Sequence, residues 1–210
     1  MQKLNKNKDY LINKKKLIQN HVYSENDEHS SCGVGLIASI SGLPSRKIVE
    51  MGVQALKVLY HRGAVDADGK TGDGAGIQLG IPKDFFKEKI NRSGHKLNNF
   101  PFAVGMIFLP RTNFEAQEKA RIIIESEIIK EGFKIFGWRH VPINTKIIGE
   151  KAKASLPEIE QILIGNEIFK NELEFDDKLF LIRKRIGKKI NSSNINDFYI
   201  SKDFFSKTPL

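Results

Sequence analysis

The sequence contains very little cysteine: Cys32 is the single one among 210 residues. One thiol excludes an internal disulfide and any metal site built from several cysteines. Three roles remain, namely a buried spectator, a reactive nucleophile and one end of an intermolecular bridge. Because a lone thiol suits a reducing compartment, we expect a cytoplasmic protein, and we expect no metal in this chain.

Long hydrophobic runs are also absent. No apolar stretch approaches the ~20 residues that span a bilayer, so we expect no membrane partner. Residues 1–31 are polar and rich in lysine and asparagine. They lack the apolar core of a secretory signal and the arginines of a transit peptide. We therefore expect a disordered leader or propeptide at 1–31 and one domain over residues 32–210.

Positive charge is in excess, with a formal net charge of +9. Residues 178–189 carry six of the lysines and arginines and no acid. This basic segment lacks an aromatic platform and any recognised nucleic-acid motif. A solvated helix face or a subunit contact is therefore favoured. A nucleic-acid-binding module, whose affinity would fall with salt, stays as an alternative.

The residues around Cys32 favour the nucleophile. Gly33 and Gly35 leave room for the close backbone approach that a substrate needs. The apolar run at 34–40 predicts a short buried strand, which would be a rigid platform for a catalytic group. His61 is a candidate general base for Cys32, but a helix-terminal histidine held by the backbone is the favoured interpretation.

Hydrophobic periodicity predicts a mixed α and β domain. After a Ser45 cap, apolar residues recur at helical spacing through 46–60 and predict a core-facing stripe that ends at Gly63. The remaining predicted elements are a turn at 72–76 leading into a strand that ends at Pro82, a short helix from Asp84, a strand at 102–108, a helix from a capping box at 112–115 to Glu131, strands at 134–138 and 158–164, a basic helix with Leu179, Ile182, Ile186 and Ile190 on one face, and a strand at 197–204.

Residues 64–71 satisfy a relaxed P-loop pattern with alanine in place of the first glycine. A P-loop needs a preceding strand and a following helix, so that backbone N–H groups face phosphate. Here a helix is predicted before the segment and a strand after it. Asp66 and Asp68 would also repel phosphate, so nucleotide binding is disfavoured.

Three motifs in register resemble the start of a class II glutamine amidotransferase. They are Cys32-Gly33-Val34-Gly35, Leu59-Tyr60-His61-Arg62-Gly63-Ala64 and Lys70-Thr71-Gly72-Asp73-Gly74-Ala75-Gly76. More narrowly, they resemble the amino-terminal domain of the bacterial glutamate synthase large chain. The similarity continues through Phe198-Tyr199, so it covers residues 32 to about 200 in order.

The resemblance implies an α+β fold of the amino-terminal-nucleophile hydrolase type, an αββα sandwich that would be incomplete at the C-terminus of this chain. It implies that residues 1–31 are removed and that Cys32 becomes the first residue. The freed α-amine, with a reference pKa of ~7.7–8.0, can then accept the thiol proton, whose reference pKa is ~8.5. Arg62 and Gly63 would line the substrate pocket, and His61 would not be the base. Without the resemblance, a surface ion pair is an equally favoured role for Arg62.

The resemblance also implies the reaction and its partners. Glutamine would be hydrolysed to supply ammonia for glutamate synthesis from 2-oxoglutarate. The full-length chain would add further synthase domains with FMN and an iron–sulfur cluster, and a small subunit that binds FAD and NADPH. The family's carboxylate clamp and oxyanion donors are expected beyond Leu210, so we expect a fragment that is inactive alone. A non-catalytic binding or regulatory remnant of the same fold is the alternative.

Overall fold

The structure, a computed structural model, describes residues 12–16, 19, 33–96, 101–166 and 172–207. Residues 12–16, inside the predicted leader, are helical. Most of the leader and Cys32 itself lie outside the described residues. The chain divides into two units, residues 1–62 and residues 63–210, and each is described by itself.

The first unit contains helix α1, Arg46–Val58, followed by a 3-10 helix, Leu59–Arg62. The predicted helix is confirmed, but no residue of α1 is fully buried. The predicted core-facing stripe is wrong in part, since three of its residues are half-buried and Val53, Leu59 and Tyr60 are exposed. The strand predicted at 34–40 is wrong. This segment has no regular secondary structure, and Val34 and Leu36 are exposed, because no described strand pairs with it.

The second unit is built on a four-stranded antiparallel sheet in the order β2-β3-β1-β4. Its strands are β1, Phe102–Leu109; β2, Lys134–His140; β3, Glu158–Gly165; and β4, Tyr199–Lys207. The central pair, β1 and β3, is in continuous register along all eight residues of each strand. These four strands confirm the strands predicted at corresponding positions. The first three end one or two residues later than predicted, and β4 begins two residues later and ends three residues later.

Among its described residues the second unit has four helices: α2, Lys83–Arg92; α3, Phe114–Lys130; α4, Glu150–Ala154; and α5, Glu172–Ser192. Three were predicted, and α4 was not. The cap of α3 is Asn113, whose Oδ1 accepts the Ala116 N–H at 2.9 Å, rather than the predicted Thr112.

The alternation of apolar residues along β1 divides the core between the two faces of the sheet. On one face α3 and α5 cover the sheet, and all four predicted core residues of α5 are buried. On the other face α2 contributes Phe86 and Ile90. The first cluster contains Ala103, Ile107, Leu109, Ala120, Ile124, Ile128, Ile162, Ile164, Leu179, Ile182, Ile186 and Ile190, and the second contains Phe102, Val104, Phe136 and Leu163.

The α+β class is therefore confirmed for the described residues. The strand predicted before Pro82 is wrong, since residues 73–82 have no regular secondary structure. Ile77 and Leu79 in that segment are about half exposed, with 45% and 47% of their surface accessible. In the part of the chain that the structure describes, no helix is both long and apolar enough to cross a bilayer.

Candidate functional site

The predicted nucleophile, Cys32, lies outside the described residues, but its neighbour Gly33 is described. Gly33 packs beside the 3-10 helix of the same unit: a Cβ added to it would lie 3.7 Å from Leu59 Cδ1. The residue that follows the thiol therefore lies next to the first residue of the Leu59-Tyr60-His61-Arg62 turn. Two of the three sequence motifs are adjacent in the fold.

Arg62 is the last residue of this 3-10 helix, and its side chain is outside the description. Gly63 follows in an exposed bend at the start of the second unit. The same limit applies to the His61 side chain. The pocket roles of Arg62 and Gly63, and the role of His61, therefore stay predictions.

The segment after Gly63 forms a closed loop. Val65 and Gly72 form an isolated antiparallel bridge, and the Asp66 N–H donates to the Thr71 carbonyl oxygen at 2.8 Å. Asp68 accepts the backbone N–H groups of Lys70, at 2.9 Å, and Thr71, at 2.7 Å. We call residues 65–72 the acidic loop.

The acidic loop is not a phosphate cradle. A 3-10 helix precedes it, and residues 73–82 after it contain no helix. The backbone donors of Lys70 and Thr71, which a phosphate would need, already bind the Asp68 carboxylate. Hydrogen bonds from Thr71 and Lys70 hold the pKa of Asp68 well below its usual range, so the loop carries negative charge at neutral pH.

One group of metal-ligand side chains occurs among the described residues: His140, Glu158 and Glu160, whose ligand atoms lie within 4.8 Å of one another. Arg121 already binds the Glu160 carboxylate of this group. Its Nε donates to Glu160 Oε2 at 3.0 Å, and its Nη2 donates to Glu160 Oε1 at 2.7 Å. Because a guanidinium ion neutralises the buried carboxylate, the cluster is an ion-pair network rather than a metal centre.

The basic segment 178–189 is largely explained by helix packing. Lys189 donates to Glu127 of α3, and Lys178 and Arg185 donate to Glu131 of α3. These hydrogen bonds lower the pKa of both carboxyls. Half of the six cations therefore tie α5 to α3, which is the reason for their position in the sequence.

Comparison with known protein families matches residues 32–208 to the glutamine amidotransferases of class II. The chain belongs to this family. The match begins at Cys32, at the boundary predicted between leader and domain. The resemblance that the three motifs indicated is thus confirmed for this class II amidotransferase.

Its relatives include glutamate synthases. The chain is 51% identical over 192 residues to the "Glutamate synthase [NADPH] large chain" of Azospirillum brasilense. This alignment covers 91% of the chain and 13% of the relative. It is 37% identical over 175 residues to "Ferredoxin-dependent glutamate synthase 2" of Synechocystis, covering 83% and 11%. It is 37% identical over 169 residues to the "Glutamate synthase [NADPH] large chain" of Bacillus subtilis. That alignment covers 78% of this chain and 11% of the relative. The chain thus spans about a tenth of the length of these relatives.

Proposed function

We propose that this domain hydrolyses glutamine with Cys32 as an amino-terminal nucleophile and passes on the ammonia. The observation that carries the proposal is the family match beginning at Cys32, together with the packing of Gly33 against Leu59 of the Arg62 turn. The αββα sandwich expected for such hydrolases belongs to the same proposal.

The chemistry needs only groups that a mature chain beginning at Cys32 would supply. The α-amine takes the thiol proton, directly or through water, because the two reference pKa values differ by less than one unit (~7.7–8.0 and ~8.5). The thiolate attacks the side-chain amide of glutamine, the C–N bond breaks and ammonia leaves with a proton from the ammonium group. Water then hydrolyses the thioester to glutamate and restores the thiol.

Arg62 and Gly63 are proposed as substrate-binding residues. The arginine would line the nucleophile pocket, where its guanidinium can bind a carboxylate in a fixed, bidentate geometry. A glycine immediately after it lets the backbone approach the substrate without a side chain in between. Arg62 is the last residue of the short 3-10 helix, and Gly63 is the next residue in the chain.

The use of the ammonia is proposed from the relatives. In a longer protein the ammonia would be added to 2-oxoglutarate, with FMN, an iron–sulfur cluster, the remaining synthase domains and an electron-supplying small subunit. An iron–sulfur cluster needs several cysteine ligands, usually four, and this chain has one cysteine. The residues present therefore do not fit a cluster, which would be held elsewhere. We place the protein in the cytoplasm, where a solitary thiol stays reduced.

Substitution of the thiol tests this proposal. In the complete protein, Cys32→Ser should abolish glutamine-dependent glutamate formation and leave the reaction with added ammonia largely intact, because only ammonia release uses the thiol. Ser39→Ala is the matched control, since it removes only a hydroxyl that hydrogen-bonds to Ser41 in the same segment. Equal loss of both activities in Cys32→Ser would instead show a structural role for the thiol.

A further inference from the structure

The acidic loop is fastened to helix α4 of its own unit by side chains from both sides. Lys151 Nζ donates to Asp66 Oδ2 at 2.5 Å across 85 residues of sequence. The Ala152 backbone N–H donates to Thr71 Oγ1 at 3.4 Å. The Thr71 hydroxyl in turn donates to Asp68 Oδ2 at 2.5 Å, so one side chain connects the helix to the acid that organises the loop.

Gly149, immediately before α4, makes this close approach feasible. A Cβ there would lie 2.6 Å from the Thr71 backbone nitrogen and would also overlap Thr71 Oγ1 and Asp68 Oδ2. The φ of Gly149 is −68°, a value open to any residue, so glycine is required for space and not for backbone freedom. Gly149 is buried under the loop. We call Asp66, Asp68, Thr71, Gly149 and Lys151 the clasp.

The loop that the clasp holds lies close to Gly63 in the chain. Ala64, the next residue, lies against the far end of the loop: a Cβ at Gly72 would be 3.5 Å from the Ala64 carbonyl oxygen. The bridge between Val65 and Gly72 then closes the loop one residue later. One residue, Ala64, separates the closed loop from the proposed substrate-binding glycine, so the position of the loop limits where the Gly63 backbone of the same unit can lie.

We propose that the clasp is a positioning device that holds the Gly63 backbone in the place required for glutamine binding. The proposal rests on the function proposed above and adds Asp68, Thr71 and Gly149 as positioning residues. None of the three touches substrate in this scheme. The segment that imitates a P-loop in sequence is thereby given a role: its acids bind the protein's own helix, not a nucleotide.

Positioning predicts a defect confined to glutamine use. A displacement of about 1 Å in substrate-positioning groups can cost on the order of 100-fold in rate. In the complete protein, Thr71→Val and Gly149→Ala should raise the KM for glutamine or lower kcat/KM by at least about tenfold. Thr71→Ser, which keeps the hydroxyl, should restore most of the loss. The reaction with added ammonia should stay within about twofold in all of them, because it bypasses the glutamine pocket.

Glu150→Gln is the matched control for Asp68→Asn. Both replace a carboxylate by its amide, but among the described residues the Glu150 side chain pairs with Lys153 of its own helix, at 2.5 Å, and not with the loop. Asp68→Asn should therefore impair glutamine use while Glu150→Gln behaves as wild type. Melting temperature by circular dichroism accompanies each assay, so that loss of folding is separated from loss of positioning.

The outcomes separate the two proposals. Wild-type protein without glutaminase activity overturns the proposed function and, with it, the clasp. Active wild type with unchanged KM and kcat/KM in Thr71→Val and Asp68→Asn overturns the clasp alone. A fall of both the glutamine and the ammonia reactions, in step with a lower melting temperature, also overturns it, because that is the result of a purely structural contact.

Discussion

Arg121 binds Glu160 through two hydrogen bonds, and the Glu160 side chain is only 3% exposed. A buried carboxylate left without its cation keeps the desolvation cost and loses the attraction that offset it. Arg121→Met, which retains the aliphatic stem, should therefore lower the free energy of unfolding by about 3 kcal/mol. Urea denaturation followed by circular dichroism measures this change.

The control is Arg92→Met in α2, since Arg92 pairs with Glu88 at the surface with side chains 69% and 53% exposed. Exposed pairs contribute less than about 1 kcal/mol, so this variant should be nearly neutral. The double variant Arg121→Met/Glu160→Gln should recover part of the loss because no buried charge remains at this pair. Equal effects of the two single variants would contradict the buried ion pair.

Two carboxyls of α3 make stability depend on pH. Hydrogen bonds from Lys189 to Glu127 and from Lys178 to Glu131 lower the pKa of both below the ordinary 4.5. A group with a lowered pKa in the folded chain stabilises the fold above its unfolded pKa and loses this contribution as pH falls through the folded value. We expect a plateau of unfolding free energy above about pH 5 and a decline below about pH 4.5.

Urea titrations at several pH values measure that decline. Glu127→Gln/Glu131→Gln should lower stability on the plateau and flatten the dependence on pH, since an amide has no proton to gain. A decline of unchanged steepness in this double variant would assign the pH dependence to other acids.

At the scale of elements, local pattern predicted the parts that pack against the sheet. The alternation of Phe102, Val104 and Met106 and the helical spacing of Ile182 and Ile186 are periodicities that burial itself imposes. Their partners lie in the same unit, so pattern and structure agree. Helix α4 escaped prediction because it has five residues, all from Glu, Lys and Ala, with no apolar stripe.

Local pattern was wrong where an apolar run has no described partner. Residues 34–40 read as a buried strand, yet a strand needs a neighbour for its backbone hydrogen bonds. No described strand pairs with them or with residues 73–82. The apolar residues of both segments suit a strand, but the sequence does not show whether a neighbouring strand is present to pair with them.

The candidate site divides in the same way. Cys32, Arg62 and Gly63 could be selected from short motifs, because each motif is contiguous in sequence. The pairing of Asp66 with Lys151 and of Arg121 with Glu160 joins residues 85 and 39 positions apart. No local spacing in the sequence predicts such pairs. The nearest sequence signal was Asp66, an acid without an assigned role in a segment that imitates a P-loop.

Gly165 of β3 tests the packing between neighbouring strands. A Cβ there would lie 2.5 Å and 2.7 Å from two ring carbons of Phe136. Gly165→Ala should therefore destabilise the domain by about 1–3 kcal/mol through overpacking. Gly187→Ala in α5 is the control of opposite sign: nothing lies within 4 Å of its Cβ position, and alanine should stabilise the helix by about 0.5–1 kcal/mol. Thermal unfolding of both variants decides, and a neutral Gly165→Ala would contradict the contact.

At the scale of the molecule, the residues after Cys32 present an apolar surface. Val34 and Leu36 are 93% and 92% exposed. Contiguous exposed apolar residues favour association, so the 210-residue chain alone should self-associate and bind a hydrophobic dye. Leu36→Ser should reduce both effects more than Ile147→Ser, a control that removes an exposed apolar side chain outside this segment. A monomer by light scattering that also fails to bind the dye would contradict this expectation.

Covalent labelling of the complete protein tests the central claim most directly. A glutamine analogue with a diazoketone in place of the amide should alkylate the catalytic thiol and remain attached. Intact mass and peptide mass spectrometry then identify both the mature amino terminus and the labelled residue. We predict a chain that begins at Cys32 and carries one adduct on that residue, prevented by excess glutamine. A labelled or unlabelled active protein that still begins at Met1, or an adduct elsewhere, would contradict an amino-terminal cysteine nucleophile.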